Sequence, residues 1–500
     1  MQIAKTLKTL FSTGFCLVFL QLTAQAETLP RWQLNALPIA NLAYQLDCMS
    51  GQGHCSREAF EKLWHEDLGW NPEDSEMLKA WQKLRQLYQH QIMLNPAPLP
   101  PTVFPLRFEG LDLSRKLRIA PLDARNFSEY ASRANLLMRP QDADQALRIL
   151  SHFYPRISQW WQAGAQAETE RAAREFVEIA QKYALEDWLK QARNFYRSQE
   201  SEHLTYQLDF FLRPGIGGNQ HGEQLENHSL IEVLPSKSLL NQTPVTLHEL
   251  SHFLYAQAPR ELQFQLVDWF CTQKEAWAIP AYNLLNEVMA TTLANGQAAR
   301  RLFPAEQFQR YFKTKGSFYN DAYIDPVAKA LLPRLEAALK NQENLYQPEF
   351  LKSYLSIFKQ ALGEKALAPE LFLRTAGIVA EGQAMQAAAQ NFQQANRIGV
   401  AWGSQNLIQG PQTFRHFPAL SGALFLSPDQ AFRLADWADL ISQSDRDAIL
   451  RAAQEKKPGV WGIQMPKGAW LFVFLAQKPE EFLSLNKRFQ AHPQVFQGRL

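Results

Sequence analysis

Cysteine, histidine and phosphate-loop glycines are all scarce in this chain. Its 500 residues include 4 cysteines and 11 histidines. Cys48 and Cys55 flank a short Gly-rich turn, but no second ligand cluster follows, so a zinc module on Cys48, His54 and Cys55 lacks its other half. Gly215, Gly217 and Gly218 have neither the lysine nor the helix pattern of a phosphate loop. No basic run stands out. Of the 51 Lys and Arg, Lys5 and Lys8 fall in a leader, and the remaining 49 balance 49 Asp and Glu. That balance argues against nucleic acid as a partner and gives no support to an acidic surface. Internal repeats are absent, and the apolar run Leu10–Leu22 is short for a membrane span, so no stable membrane insertion is expected.

What is there begins with that leader. Lys5 and Lys8 precede the apolar run, and Ala24-Gln25-Ala26 forms a cleavage site, so residues 1–26 read as a secretory signal. The mature chain is expected to be exported, periplasmic or secreted, with Cys48 and Cys55 bridged at a Cα separation within about 7 Å. Cys271 lies in an apolar-aromatic stretch and reads as a buried thiol.

The most informative stretch is Thr243 to Tyr255, which contains His248-Glu249-Leu250-Ser251-His252. In a helix, residues four apart share a face, so both imidazoles reach one ion, and Glu249 is placed to take a proton from a water held there. Thr243 is the expected cap, Pro244 suits the first turn and Pro259 lies beyond the end. A second apolar segment, Pro280 to Gly296, is expected to be a helix with Pro280 in its first turn and Gly296 past its end. It carries Glu287 among Leu284, Leu285, Val288, Met289 and Leu293. A carboxylate there is costly to bury unless it is paired or coordinates a metal. The plain alternative is a core helix whose histidines bond backbone carbonyls.

The two motifs, His-Glu-x-x-His followed by Asn286-Glu287-x-x-Ala290, resemble those of the gluzincin zinc metallopeptidases over about residues 225–300. The resemblance implies Zn2+ held by His248, His252 and Glu287, with Glu249 as catalytic base. In thermolysin-like members an aspartate four residues after the ligand glutamate orients a zinc-bound histidine. Here Thr291 stands in that place, so the outer support must be weaker or come from elsewhere. The family also has an edge strand that pairs with extended substrate, a role for which residues 229–234 are the candidate. A downstream tyrosine or histidine stabilises the oxyanion; Tyr323 is preferred, Tyr319 is second, and His221 and His228 are weaker candidates.

The fold class expected is α+β, mainly helical. Residues 27–200 read as a mostly helical region, with a helix opening at Asn71-Pro72, a proline-rich strap from Asn95 to Pro105, and helical patterns over 142–161 and 166–196. Residues 201–345 form the gluzincin-like core, with strands at 204–212 and 229–234. Residues 346–500 form a small α+β accessory domain, with a strand at 423–426, a helix at 428–442 and a hairpin around Pro466-Lys467-Gly468. The function expected is an exported zinc metallopeptidase acting on a peptide or protein substrate. The alternatives are a zinc-containing cell-envelope binding or assembly protein without turnover, and a hydrolase of cell-wall stem-peptide amides.

Overall fold

The computed structural model describes residues 31–53, 55–88, 113–199, 204–215, 221–235, 237–396, 398, 400–404 and 406–500. The leader, the strap from Asn95 to Pro105, His54, Gly217 and Gly218 lie outside the described residues. The protein is a mainly helical α+β structure with two sheets. Among the described residues no helix is long and apolar enough to cross a membrane.

Local chemistry starts the N-terminal helices where the sequence places them. The Asn71 side chain accepts from the Asp74 amide while the Asp74 carboxylate accepts from the Asn71 amide, and this reciprocal box opens the helix Pro72–Leu87. The helical stretch over 166–196 is two helices, Gln166–Lys182 and Leu185–Tyr196. They are separated at Ala184, whose φ of +49° no helix accepts. Cys48 and Cys55 form a disulfide with Cα atoms 5.8 Å apart.

The first sheet contains β1 (Trp32–Asn35), β2 (Tyr206–Leu212), β3 (Gly222–Leu225) and β4 (His228–Val233), in the order β1-β2-β4-β3. β1 and β4 both run parallel to β2, and β3 folds back antiparallel on β4. The N-terminal region, expected to be mostly helical, therefore also supplies a strand to the sheet beside the helix of His248 and His252. One face of the sheet packs on the N-terminal helices through Phe211, Leu225 and Leu230, and the other on the central helices through Leu208, Phe210 and Ile231. Arg118 grips Glu223 of β3 through two 2.6 Å bonds, pinning that strand to the N-terminal layer.

The second sheet, in the order β10-β8-β9-β7-β5-β6, comprises β5 (Thr375–Ala380), β6 (Val400–Ser404), β7 (Gly422–Leu426), β8 (Gly459–Gln464), β9 (Trp470–Leu475) and β10 (Gly498–Arg499). β6, β5, β7 and β9 are parallel; β8 and β9 form the expected hairpin, with Gly468 at φ +88° in its turn. The stretch expected to be a helix at 428–442 is instead 3-10 turns over Pro428–Trp437. The main core runs without interruption from the central helices into this C-terminal layer.

Candidate metal centre

The helix Thr243–Ala256 is apolar on nearly every side and buried accordingly. Its start differs from expectation. Thr243 is already helical, and its hydroxyl donates to the Leu239 carbonyl instead of capping, while Gln242 holds the cap position. The second helix, Ala278–Ala290, does not stop at Gly296. It widens into a π-helical stretch, Thr291–Ala298, and continues to Leu302. Gly296 is there for close packing, since a Cβ would sit 3.0 Å from Phe318 and 3.1 Å from Leu332.

These helices bring His248, His252 and Glu287 together, as a group that can hold a metal ion. The two Nε2 atoms lie 3.0 Å apart, and each is 3.5 Å from a Glu287 carboxylate oxygen. Ligand atoms placed tetrahedrally about 2.0–2.2 Å from one ion are separated by roughly 3.3–3.6 Å, close to this spacing. The hydrogen-bond pattern is more telling. His248 Nδ1 bonds Asn295 Oδ1 and His252 Nδ1 bonds Asn286 Oδ1, each at 3.2 Å. Facing an amide oxygen, each Nδ1 donates, and in the neutral imidazoles the Nε2 lone pairs then face the cluster. Glu287 Oε2 is buried without a hydrogen-bond partner. Three acceptors facing one another repel unless a cation lies among them, and the donor set of two imidazoles and one carboxylate suits a divalent ion.

The outer support comes from elsewhere than position 291. Thr291 is fully buried, and its hydroxyl has no hydrogen-bond partner. Because the helix widens there, Asn295 reaches His248 in its place, with the Tyr311 hydroxyl close to Asn295 behind it. Neither Asn295 nor Tyr311 was a candidate from sequence. The Asn286-Glu287 pair was a usable signal for Asn286, but nothing local marks Asn295.

Of the two tyrosines, Tyr319 contacts the cluster. Its ring stacks on His248 at 5.5 Å and its hydroxyl is turned to the Glu287 carboxylate. Burial, together with the Glu287 and Glu249 charges, pushes that hydroxyl's pKa up. Tyr323, the preferred candidate from sequence, lies beneath the Arg374 guanidinium, 5.9 Å from it, just before the helix Ile324–Lys340. The loop between is drawn in by Asp325, which accepts from the Gly316 and Phe318 amides, and by Asp321, which pairs with Arg374 of the C-terminal layer.

Glu249 and Glu287 are both half-buried, and Glu287 keeps 36% of its side-chain surface. Burial lifts the Glu249 carboxyl to about 7; His252 opposes this, and Glu287 and Glu223 add to it. The strand against Glu249 is not 229–234. β4 is internal, paired on both sides, and β3 is the edge, with Gly222 packed directly on Glu249. His228 is remote in role: it is buried and bonded to Asp209 at 2.8 Å, with Asp123 at 3.4 Å. His221 meets the sheet only through its backbone, accepting from the Glu232 amide. Cys271 is free, and burial raises its thiol to about 12, which leaves it inert at neutral pH.

No family model matches the chain, and neither a curated protein nor a solved structure matches it.

Proposed function

We propose that the chain is an exported zinc-dependent metallopeptidase of gluzincin type that hydrolyses peptide bonds. The observation that carries this reading is the convergence of His248 Nε2, His252 Nε2 and a Glu287 oxygen in one group that can hold a metal ion, beside a carboxylate that is not itself part of the group. Zinc held there would supply a Lewis acid for the scissile carbonyl and make a water acidic enough to attack at neutral pH.

The chain's own residues have distinct tasks. Glu249 takes the proton of the attacking water and delivers it to the leaving amine. The Tyr319 hydroxyl donates to the carbonyl oxygen as negative charge develops on it. Asn295 and Asn286 hold both imidazoles in the tautomer that turns Nε2 inward. In an antiparallel pair, hydrogen-bonded and non-bonded positions alternate. The Glu232 N–H to His221 carbonyl bond therefore leaves the Gly222 and Gln224 backbone groups facing outward, where an extended substrate can pair with them. The Cys48–Cys55 disulfide fits an oxidising compartment.

The test is metal analysis together with peptide-library hydrolysis of the wild type and two variants. His248→Ala should lose the metal. Glu249→Gln should keep it while the rate falls by about 10²–10⁴. Full zinc content without hydrolysis of any peptide by the wild type would overturn the peptidase reading and favour a zinc-containing binding protein of the cell envelope.

A further inference from the structure

The C-terminal layer reaches the neighbourhood of the metal cluster at two points, both on the few residues that lead into β5. Asn283 lies one turn before Glu287 on the helix Ala278–Ala290. Its side-chain amide donates to the Leu371 carbonyl at 3.0 Å and to the Phe372 carbonyl at 3.4 Å. Just beyond, the Arg374 guanidinium donates to Asp321 Oδ2 and lies over the Tyr323 ring. Residues 371–374 thus touch both the helix that carries Glu287 and the loop that carries Tyr319.

Asp321 joins Arg374 to Tyr319 in short steps. Its amide donates to the Tyr319 carbonyl at 2.7 Å, and its Oδ1 accepts from the Tyr323 and Ile324 amides at 2.8 and 3.0 Å. One carboxylate oxygen therefore starts the helix Ile324–Lys340, and the other takes Arg374. Asp325 fixes the opposite flank of the loop through the Gly316 and Phe318 amides. The Arg374 side chain keeps 33% of its surface and that of Asp321 18%. An ion pair this open to water adds little to stability. Its larger effect is on geometry. The Tyr319 ring stacks on His248 and its hydroxyl is turned to the Glu287 carboxylate, so a loop shift of about 1 Å would carry that hydroxyl off its place.

We propose that Arg374 is a positioning residue, which acts through Asp321 to hold the Tyr319 hydroxyl where the oxyanion forms. The C-terminal layer is in this way part of the catalytic centre. The inference rests on the peptidase reading given above. Because Arg374 bonds Asp321 and not a metal ligand, its loss should spare the metal.

The test is hydrolysis of a quenched peptide by the zinc-loaded full chain, together with fluorine NMR of the protein carrying a fluorotyrosine at position 319. Arg374→Ala should lower kcat about 10- to 100-fold with KM and zinc content unchanged, since the lost interaction is one made in the transition state. Arg374→Lys keeps a cation for Asp321 and should recover most of the rate. In a Tyr319→Phe background, which lacks the hydroxyl, Arg374→Ala should change kcat by less than about twofold. A merely structural role would give the same loss in both backgrounds. The fluorine resonance should move or broaden in Arg374→Ala. Asp321→Asn keeps the Oδ1 acceptor but loses the charge; it should act alike and serves where Arg374→Ala fails to fold. An unchanged kcat, equal losses in the two backgrounds, or an unchanged resonance would each overturn the inference. A wild type without hydrolysis overturns the peptidase reading instead. The resonance then still decides whether Arg374 holds Tyr319.

Discussion

A single methyl group at Gly222 tests where Glu249 must stand. The residue has ordinary strand backbone, so Gly222→Ala brings no conformational strain of its own. A Cβ at this position would lie 2.8 Å from Glu249 Cγ, 3.2 Å from its Oε1 and 3.0 Å from Val245 Cγ1. Carbon atoms pack best at about 3.5–4.0 Å, so Glu249 has to retreat by roughly 0.7 Å and Val245 by roughly 0.5 Å. Overpacking of this kind costs about 1–3 kcal/mol, which lowers the unfolding temperature by several degrees. A catalytic group displaced by about 1 Å loses on the order of 10²-fold in rate. The expectation is a 10- to 100-fold fall in hydrolysis of a quenched peptide with zinc content unchanged, since none of the contacts involves His248, His252 or Glu287. Adding Val245→Ala should recover part of the stability and little of the rate, because the contact with Glu249 remains. A Gly222→Ala protein with wild-type kcat/KM would refute the assignment of Glu249 as base at this position. A rate loss that tracks metal loss would refute the claim that the strand positions Glu249 rather than the ligands.

Two further outcomes follow from the outer shell and the sheet. Asn295→Ala leaves His248 Nδ1 without its acceptor and should weaken zinc binding about 10- to 100-fold in a chelator competition, whereas Asn295→Asp should retain affinity. Thr291→Ala should leave that affinity unchanged, since its hydroxyl bonds nothing. For His228, burial alone would lower the pKa, but hydrogen bonds and charge from Asp123 and Asp209 raise it to about 9. A folded-state pKa above the unfolded value gives stability that is fully present below about pH 6.5 and lost as pH rises through about 9, of order 3 kcal/mol. Urea unfolding of metal-free protein near pH ~6 and ~9.5 should show this loss, and His228→Asn should flatten it. An unchanged slope in the variant would assign the pH dependence to other groups.

The parts of this protein legible in its sequence are those governed by short-range rules. His248 and His252 share a helical face by spacing alone, and Glu287 stands out because a carboxylate among apolar neighbours needs a partner or an ion. Cys48 and Cys55 are bridged across a turn only seven residues long in separation, and the Asn71-Pro72 helix start is written in four consecutive residues. What the tertiary structure alone decided involves distant segments. β3 rather than β4 lies at the edge because the strand order depends on β2 and β1, more than a hundred residues apart in sequence from one another. Tyr319 rather than Tyr323 meets His248 because Asp325 and Arg374 draw the intervening loop inward, and Arg374 comes from the C-terminal layer. Asn295 replaces position 291 behind His248 because the helix widens where it packs against Phe318 and Leu332, and no four-residue spacing anticipates a turn of different pitch.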